Sequence, residues 1–334
     1  ARVLASSQDK LSLYSLRDMI VAKVAPDGSA DDADAIDWEA EIRPPAELLL
    51  PVTPAEEKAR AEQPARGVLI TGTTGFLGAA VLRSVLHSSD FSEWQVHCLV
   101  RPPADAEDQD EAAMERQRLV MAKYRCGEAL DTAQAAGRLH VLAGDIGAEW
   151  LGLAGGESAF HTLGGSLSVV IHCAGVVNHL AGYQAMKRVN VGGMDRIVQL
   201  ARVRGAAIQY TSTISVLSDE DAACSSAEET LGDAAFIDGV GGYAQTKWVA
   251  EQRLRAASSA GVIGPVQVLR PGLITSATAE SVTAGATNTS DWLTRFVCGA
   301  IELEGYAVAE SIESAEPLMS VTPVDHASAC VRLF

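Results

Sequence analysis

A glycine-rich turn, Thr71-Gly72-Thr73-Thr74-Gly75-Phe76-Leu77-Gly78, follows the apolar run Gly67-Val68-Leu69-Ile70 and opens a helix-forming stretch from Phe76 to His87. This strand, turn and helix constrain the fold more than any other segment. The glycines let backbone approach a pyrophosphate, and the helix aims its unpaired N–H groups and positive dipole end at it. Further apolar runs near 95–100, 138–143, 168–172, 207–211 and 265–269 are separated by helical segments. That alternation predicts an α/β fold of Rossmann type, a doubly wound parallel sheet with helices on both faces. Helices are expected over 111–124, 185–203, 243–257 and 291–304, and one more starting at Thr322-Pro323 and running to Phe334.

Bulk properties exclude several function classes. A formal net charge of −17 argues against a nucleic-acid surface, which needs clustered Lys and Arg. The six cysteines form no C-x-x-C pair and no Cys/His spacing suited to zinc, so no metal is expected and a reduced, cytoplasmic setting is favoured. No apolar run approaches the roughly 18 residues that span a bilayer. Residues 11–24 place Leu13, Leu16, Ile20 and Val24 at helical spacing, and residues 25–66 turn acidic and proline-bearing, as a linker or loosely attached strap would. The chain begins at Ala1 without Met, as an excised piece of something larger would, and as a chain with its Met removed would too.

The second strand ends Val96-His97-Cys98-Leu99-Val100-Arg101. The residue after this strand faces the cofactor ribose, where NAD enzymes carry Asp or Glu; an arginine there suits a 2′-phosphate and favours NADPH. Arg116 or Arg118 on the next helix is a candidate for a second charge, weighed evenly against a solvated helix face. Asp145, after the third strand, is a candidate for the adenine amine, with a turn or capping aspartate as the plain alternative. His172-Cys173-Ala174-Gly175 ends the fourth strand with small residues that let backbone lie against a cofactor. His172 itself reads as a satisfied core residue.

Tyr243 and Lys247 lie four apart on an expected helix and project from one face. Thr213 stands just past the fifth strand, where such sheets present functional residues. The trio matches carbonyl reduction: hydride addition leaves charge on an oxygen that needs a proton donor, Tyr243, and a second hydrogen bond, Thr213. Free tyrosine titrates near pH 10, so a cation must sit nearby, and Lys247 is the candidate.

With these residues the chain resembles the extended short-chain dehydrogenase/reductase superfamily, and within it the thioester reductases that terminate nonribosomal peptide and polyketide synthases. The resemblance covers roughly 36–334. It rests on Thr71 to Gly78, Cys98 to Arg101, Gly144-Asp145-Ile146 with Leu151-Gly152-Leu153, Val177-Asn178-His179, Asn190-Val191-Gly192-Gly193, Thr211 to Val216, Gly242 to Trp248 with Glu251, and Arg270-Pro271-Gly272. It implies a cofactor site of Gly72, Thr74, Gly75, Phe76, Leu77, Gly78, Arg101, Arg118, Asp145, Ile146, Ala174, Gly175, Val176, Asn190, Tyr243, Lys247, Pro271, Gly272 and Leu273. It further implies NADPH-dependent reduction of a thioester, held on the phosphopantetheine arm of a carrier protein, to an aldehyde and in some members on to an alcohol.

The resemblance also suggests a division of the chain. Residues 1–24 look like the last helix of a carrier domain, 25–66 a linker, 67–272 the NADP-binding domain, and 273–334 a partial substrate subdomain, since such reductases continue beyond the point matching Phe334. Residues 218–240 read as a mobile loop near the substrate entrance. Leu163-Gly164-Gly165-Ser166-Leu167 superficially resembles a phosphopantetheine attachment site, but lacks the usual Asp or His and reads as a loop before the fourth strand. A basic patch for an acidic carrier would draw on Lys187, Arg188, Arg202, Arg204, Arg253 and Arg255, which a solvated helix face explains as well. Two alternatives stay open: a reductase or epimerase acting on a free small molecule, and a redox-silent carrier-binding domain.

Overall fold

The computed structural model describes residues 36–61, 65–218, 231–302 and 320–330. The expected helix over 11–24 and most of the 218–240 loop lie outside them. Six parallel strands, β1 (Gly67–Thr71), β2 (Gln95–Val100), β3 (Leu139–Ala143), β4 (Leu167–His172), β5 (Ala207–Thr211) and β6 (Val266–Leu269), form one sheet in the order β3-β2-β1-β4-β5-β6. The order reverses between β1 and β4, and a doubly wound sheet binds its ligand in the crevice at that switch point. The central strands carry Val68, Leu69, Ile70, Val170 and Ile171 at 0–1% exposure, as expected of strands covered on both faces.

Eleven α-helices occur among the described residues: α1 (Trp38–Glu41), α2 (Pro54–Ala61), α3 (Phe76–His87), α4 (Gln109–Lys123), α5 (Gly127–Ala135), α6 (Gly156–Ser166), α7 (Tyr183–Arg202), α8 (Ala234–Asp238), α9 (Gly242–Ser259), α10 (Trp292–Glu302) and α11 (Val324–Ala329). None is long and apolar enough to cross a membrane. Two hydrophobic clusters sandwich the sheet. One gathers Phe76, Leu82, Val85, Met121 and Leu130 from α3, α4 and α5; the other gathers Phe160, Met194, Ile197, Ala250 and Leu254 from α6, α7 and α9.

Several expectations are corrected. Part of the supposed loose strap is firmly held. Arg202 donates to the carbonyls of Leu48, Leu50 and Pro51, Arg60 donates to those of Arg202 and Val262, and Trp38 is 7% exposed. The same bonds use up much of the candidate basic patch, because Lys187 and Arg253 bind Glu41 and Arg188 donates to Gly147. Residues 163–166 are the last turn of α6 rather than a loop, with Ser166 Oγ donating to Leu163.

Thr322 and Pro323 belong to a strand, β8 (Val321–Pro323), paired in parallel with β7 (Leu273–Thr275). A Cβ on Gly272 would lie 2.3 Å from the Ser320 carbonyl, so glycine permits this close return. Among the described residues, those within 37–287 and 320–330 form one compact unit, and residues 288–302 belong to another. In the second, α10 starts beside Asp291, whose carboxylate accepts from Thr294 N at 2.8 Å.

Candidate active site

The turn between β1 and α3 is shaped by backbone contacts that exclude side chains. Gly72 adopts φ +78°, and a Cβ there would fall 2.6 Å from Ala174 N; a Cβ on Gly78 would fall 2.0 Å from Gly72 O. Both positions require glycine. The N-cap of α3, Gly75, is exposed and supplies no side-chain hydrogen bond, so the first-turn N–H groups of Phe76, Leu77 and Gly78 lack a capping side chain. Such an end suits an anion. Thr74 is half-buried in the turn, while Thr73 is fully buried and donates to Gln117 Oε1 at 2.6 Å; Gln117 Nε2 returns a bond to Thr73 O at 3.3 Å.

Gln117 was not legible as part of the site. Its signal is a polar residue at 0% exposure in line with Ala113 and Met121 on the buried face of α4.

Arg101, just past β2, is 62% exposed and stands 3.8 Å from Asp145. The two line a cleft of about 580 Å³ with Pro102, Asp110, Gly144 and Gly152. Asp145 accepts from Gly147 N at 2.8 Å, so its role as a turn aspartate is real, and its second oxygen faces Arg101. Its backbone is braced by Leu151 O, in a stretch where Trp150 and Leu151 take φ of 50° and 57°, the costly left-handed region for non-glycine residues. Ile146 packs under Gly193 of α7. Of the two weighed arginines, Arg116 is the one at this corner, donating to Arg101 O at 2.5 Å. Arg118 instead reaches Gln134 on α5, and is not brought to Arg101.

On the other side of the switch point, Ala174 and Gly175 leave β4 over the turn, with Ala174 N donating to Thr71 Oγ1. Asn190 holds the next residue from both sides: Val176 N donates to its Oδ1 at 2.7 Å, and its Nδ2 donates to Val176 O at 3.0 Å and to Thr246 Oγ1 at 2.9 Å. At 2% exposure its amide serves the protein, fixing the groove floor against α9. Gly175 is closely approached: a Cβ there would crowd Asn190 Oδ1 at 3.3 Å and meet Lys247 Nζ at 3.4 Å. The groove floor and Lys247 thus adjoin each other.

Lys247 is 3% exposed, donates to Thr211 O at 2.8 Å, and holds its ammonium 4.7 Å over the Tyr210 ring. Burial brings its pKa down to about 8, with Cys173 and Glu251 acting the other way. Tyr210 stacks on His172 at 5.3 Å. His172 shares a 2.7 Å hydrogen bond with Thr71 and is driven down to about 3, by burial first and Lys247 second, so it stays neutral as a core residue.

Tyr243 lies one turn before Lys247, with His179 edge-on to its ring at 5.7 Å. The expected lowering of its pKa by Lys247 is not present: burial pushes the phenol up to about 12. The reason is geometric, since Lys247 Nζ is 5.9 Å from the Tyr243 ring centroid and is engaged by Thr211 O. Thr213, 9% exposed past β5, accepts from Ser215 N and is flanked by the bond from Ile214 N to Pro271 O. Pro271, Gly272 and Leu273 follow β6 at the same sheet edge, anchored by the two-point pairing of Arg270 with buried Glu251.

A sheet of this order, with a glycine turn at the switch point and a Tyr/Lys pair beside the end of β5, defines a dinucleotide-binding reductase fold. The model of the NAD-binding male sterility protein family matches residues 70–331, and the chain belongs to that family. It is 33% identical over 272 residues to glycine betaine reductase ATRR of Emericella nidulans, covering 80% of this chain and 20% of that protein. It is 34% identical over 278 residues to a component of the linear gramicidin synthase of Brevibacillus parabrevis, covering 80% of this chain and 5% of that protein. The chain therefore spans a fifth or less of the length of these relatives. Among solved structures, the terminal R domain from the myxalamid PKS-NRPS biosynthetic pathway superposes with a TM-score of 0.68 at 33% identity, over 88% of this chain and 68% of that one.

Proposed function

We infer that this chain is a reductive release domain, using NADPH to reduce a phosphopantetheinyl thioester on a carrier protein to an aldehyde. The observation that carries the reading is Lys247, which donates to Thr211 O at the end of β5 and lies beside both the Tyr243 ring and Gly175 of the groove; Thr213 follows two residues after Thr211. Relatives that are parts of peptide synthases supply the substrate class. A reduced nicotinamide supplies hydride when bound. The chain supplies the rest: first-turn N–H groups of α3 for pyrophosphate, Lys247 for ribose hydroxyls, Thr213 to hold the carbonyl oxygen, and Tyr243 to protonate it. At about 12, Tyr243 is a donor at every working pH.

Mixing the protein with NADPH and an acyl-pantetheine thioester tests this: loss of the NADPH absorbance with aldehyde formation supports it, and no oxidation with pantetheine or carrier-bound acyl groups sinks it. Since the Lys247 ammonium is lost as pH rises through about 8, kcat/KM is expected to fall above that value and to stay level below it. A pH–rate profile checks the sign.

Arg101 supports NADPH over NADH, because no carboxylate stands at its position to repel a 2′-phosphate. Arg101→Ala is expected to weaken NADPH binding about tenfold or more, as loss of a charge-assisted contact does, with little change for NADH. Titration of cofactor fluorescence distinguishes the two.

A further inference from the structure

Helix α9 starts one residue before Tyr243, and its N-cap, Gly241, supplies no side-chain hydrogen bond. The position of Tyr243 therefore depends on how the incoming chain, residues 232–241, is held. Trp248 Nε1 donates to Gly232 O at 2.8 Å and Gln245 Nε2 donates to Ile237 O at 3.1 Å. Both donors belong to α9 itself, so these bonds tie the incoming chain to the helix without fixing either against a separate element. Two bonds come from outside α9: Gly232 N, at the start of the segment, donates to Val216 O at 3.0 Å, and at the end that enters α9, Trp38 Nε1 donates to Asp238 Oδ1, the last residue of α8, at 3.2 Å.

Trp38 is well placed to act as an external reference. It is buried edge-on between Tyr183 of α7, at 5.4 Å, and Trp248 of α9, at 6.0 Å. Its one-turn helix is fixed at the far end through Glu41, which accepts from Tyr183 OH at 2.6 Å and Lys187 Nζ at 2.5 Å. Arg253 completes the anchor, donating to Glu41 O at 2.8 Å and to Asp195 at 2.5 Å.

We propose that Trp38 is a positioning residue for Tyr243, acting through Asp238 to set the entry of α9. The segment ahead of the sheet thereby takes part in catalysis without touching substrate. The proposal rests on the assignment of Tyr243 as proton donor. Trp38→Phe keeps the ring packing and removes the donor; Asp238→Ala removes the acceptor. Each is expected to lower kcat for an acyl-pantetheine thioester about three- to tenfold, the scale of one lost hydrogen bond expressed as misplacement of a reacting group, with KM and affinity for NADPH unchanged.

The double variant should be no slower than either single one, because both changes delete the same bond. Amide exchange should quicken in residues 233–246 and not in β1 or β2. Arg60→Ala, which loosens α2 by removing its bonds to Arg202 O and Val262 O without touching Trp38 or Asp238, serves as the stability control and should leave kcat unchanged. Additive losses, a Trp38→Phe protein with wild-type kcat and exchange, or an equal fall in kcat in Arg60→Ala would each overturn the proposal. Should the unaltered protein fail to oxidise NADPH with any thioester, the proposed function falls, while the exchange comparison still decides the positioning.

Discussion

Tyr243→Phe is expected to cut NADPH-dependent turnover of an acyl-pantetheine thioester by about 10²–10⁴-fold, the range for loss of a positioned general acid, while NADPH affinity stays unchanged. The phenol is the group whose loss should separate chemistry from binding. The ring that phenylalanine retains is what His179 packs against, and the hydroxyl holds no protein hydrogen bond among the described contacts. Lys247 keeps its bond to Thr211 O and its place over Tyr210 in the variant, so the groove beside Gly175 keeps its charge. Single-turnover kinetics and a fluorescence titration of NADPH make the measurement. A variant with unaltered turnover would remove Tyr243 from the mechanism and hand the proton to solvent or His179. A variant that loses NADPH binding as well would mean that its hydroxyl serves the cofactor.

The parts legible in the sequence share one property: each is a local pattern with a local cause. The central strand cores are visible because doubly covered strands must be apolar, and the turn because no side chain fits at Gly72 or Gly78. What escaped depends on partners distant in sequence. The segment holding Trp38 and Glu41 is acidic and proline-bearing and resembles a linker, yet its charges are answered by Lys187 and Arg253, over 140 residues away. Those same basic residues looked like a docking patch only while their partners were out of view. Gln117 was hidden between two arginines that attracted attention for their charge. The tuning of the Tyr243/Lys247 pair also escaped: an i, i+4 spacing puts the two on one face but does not say that Thr211 O takes the ammonium. Helix α5 escaped because it follows α4 after only three residues, within the one stretch between β2 and β3.

Glu251→Ala is expected to destabilise the protein by about 3–5 kcal/mol, the cost of stripping one partner from a buried ion pair. Glu251 is fully buried on α9, and Arg270, at 10% side-chain exposure, meets it with Nε at 3.1 Å from one oxygen and Nη2 at 2.8 Å from the other. Truncation leaves a guanidinium in a low-dielectric setting, which is why the loss should exceed the at most about 1 kcal/mol typical of exposed pairs. Denaturant titration followed by intrinsic fluorescence checks the magnitude, and a loss under about 1 kcal/mol would class the pair with solvent-screened bridges. The double variant Glu251→Leu with Arg270→Met should recover most of the stability, since removing both charges removes the uncompensated one. Activity should not recover with it. Arg270 precedes Pro271, whose carbonyl takes the N–H of Ile214 next to Thr213, so the pair ties the helix bearing Tyr243 and Lys247 to the loop bearing Thr213. Apolar packing can replace the energy of that link but not its direction, because the two-point pairing orients the end of β6 against the helix bearing Tyr243 and Lys247.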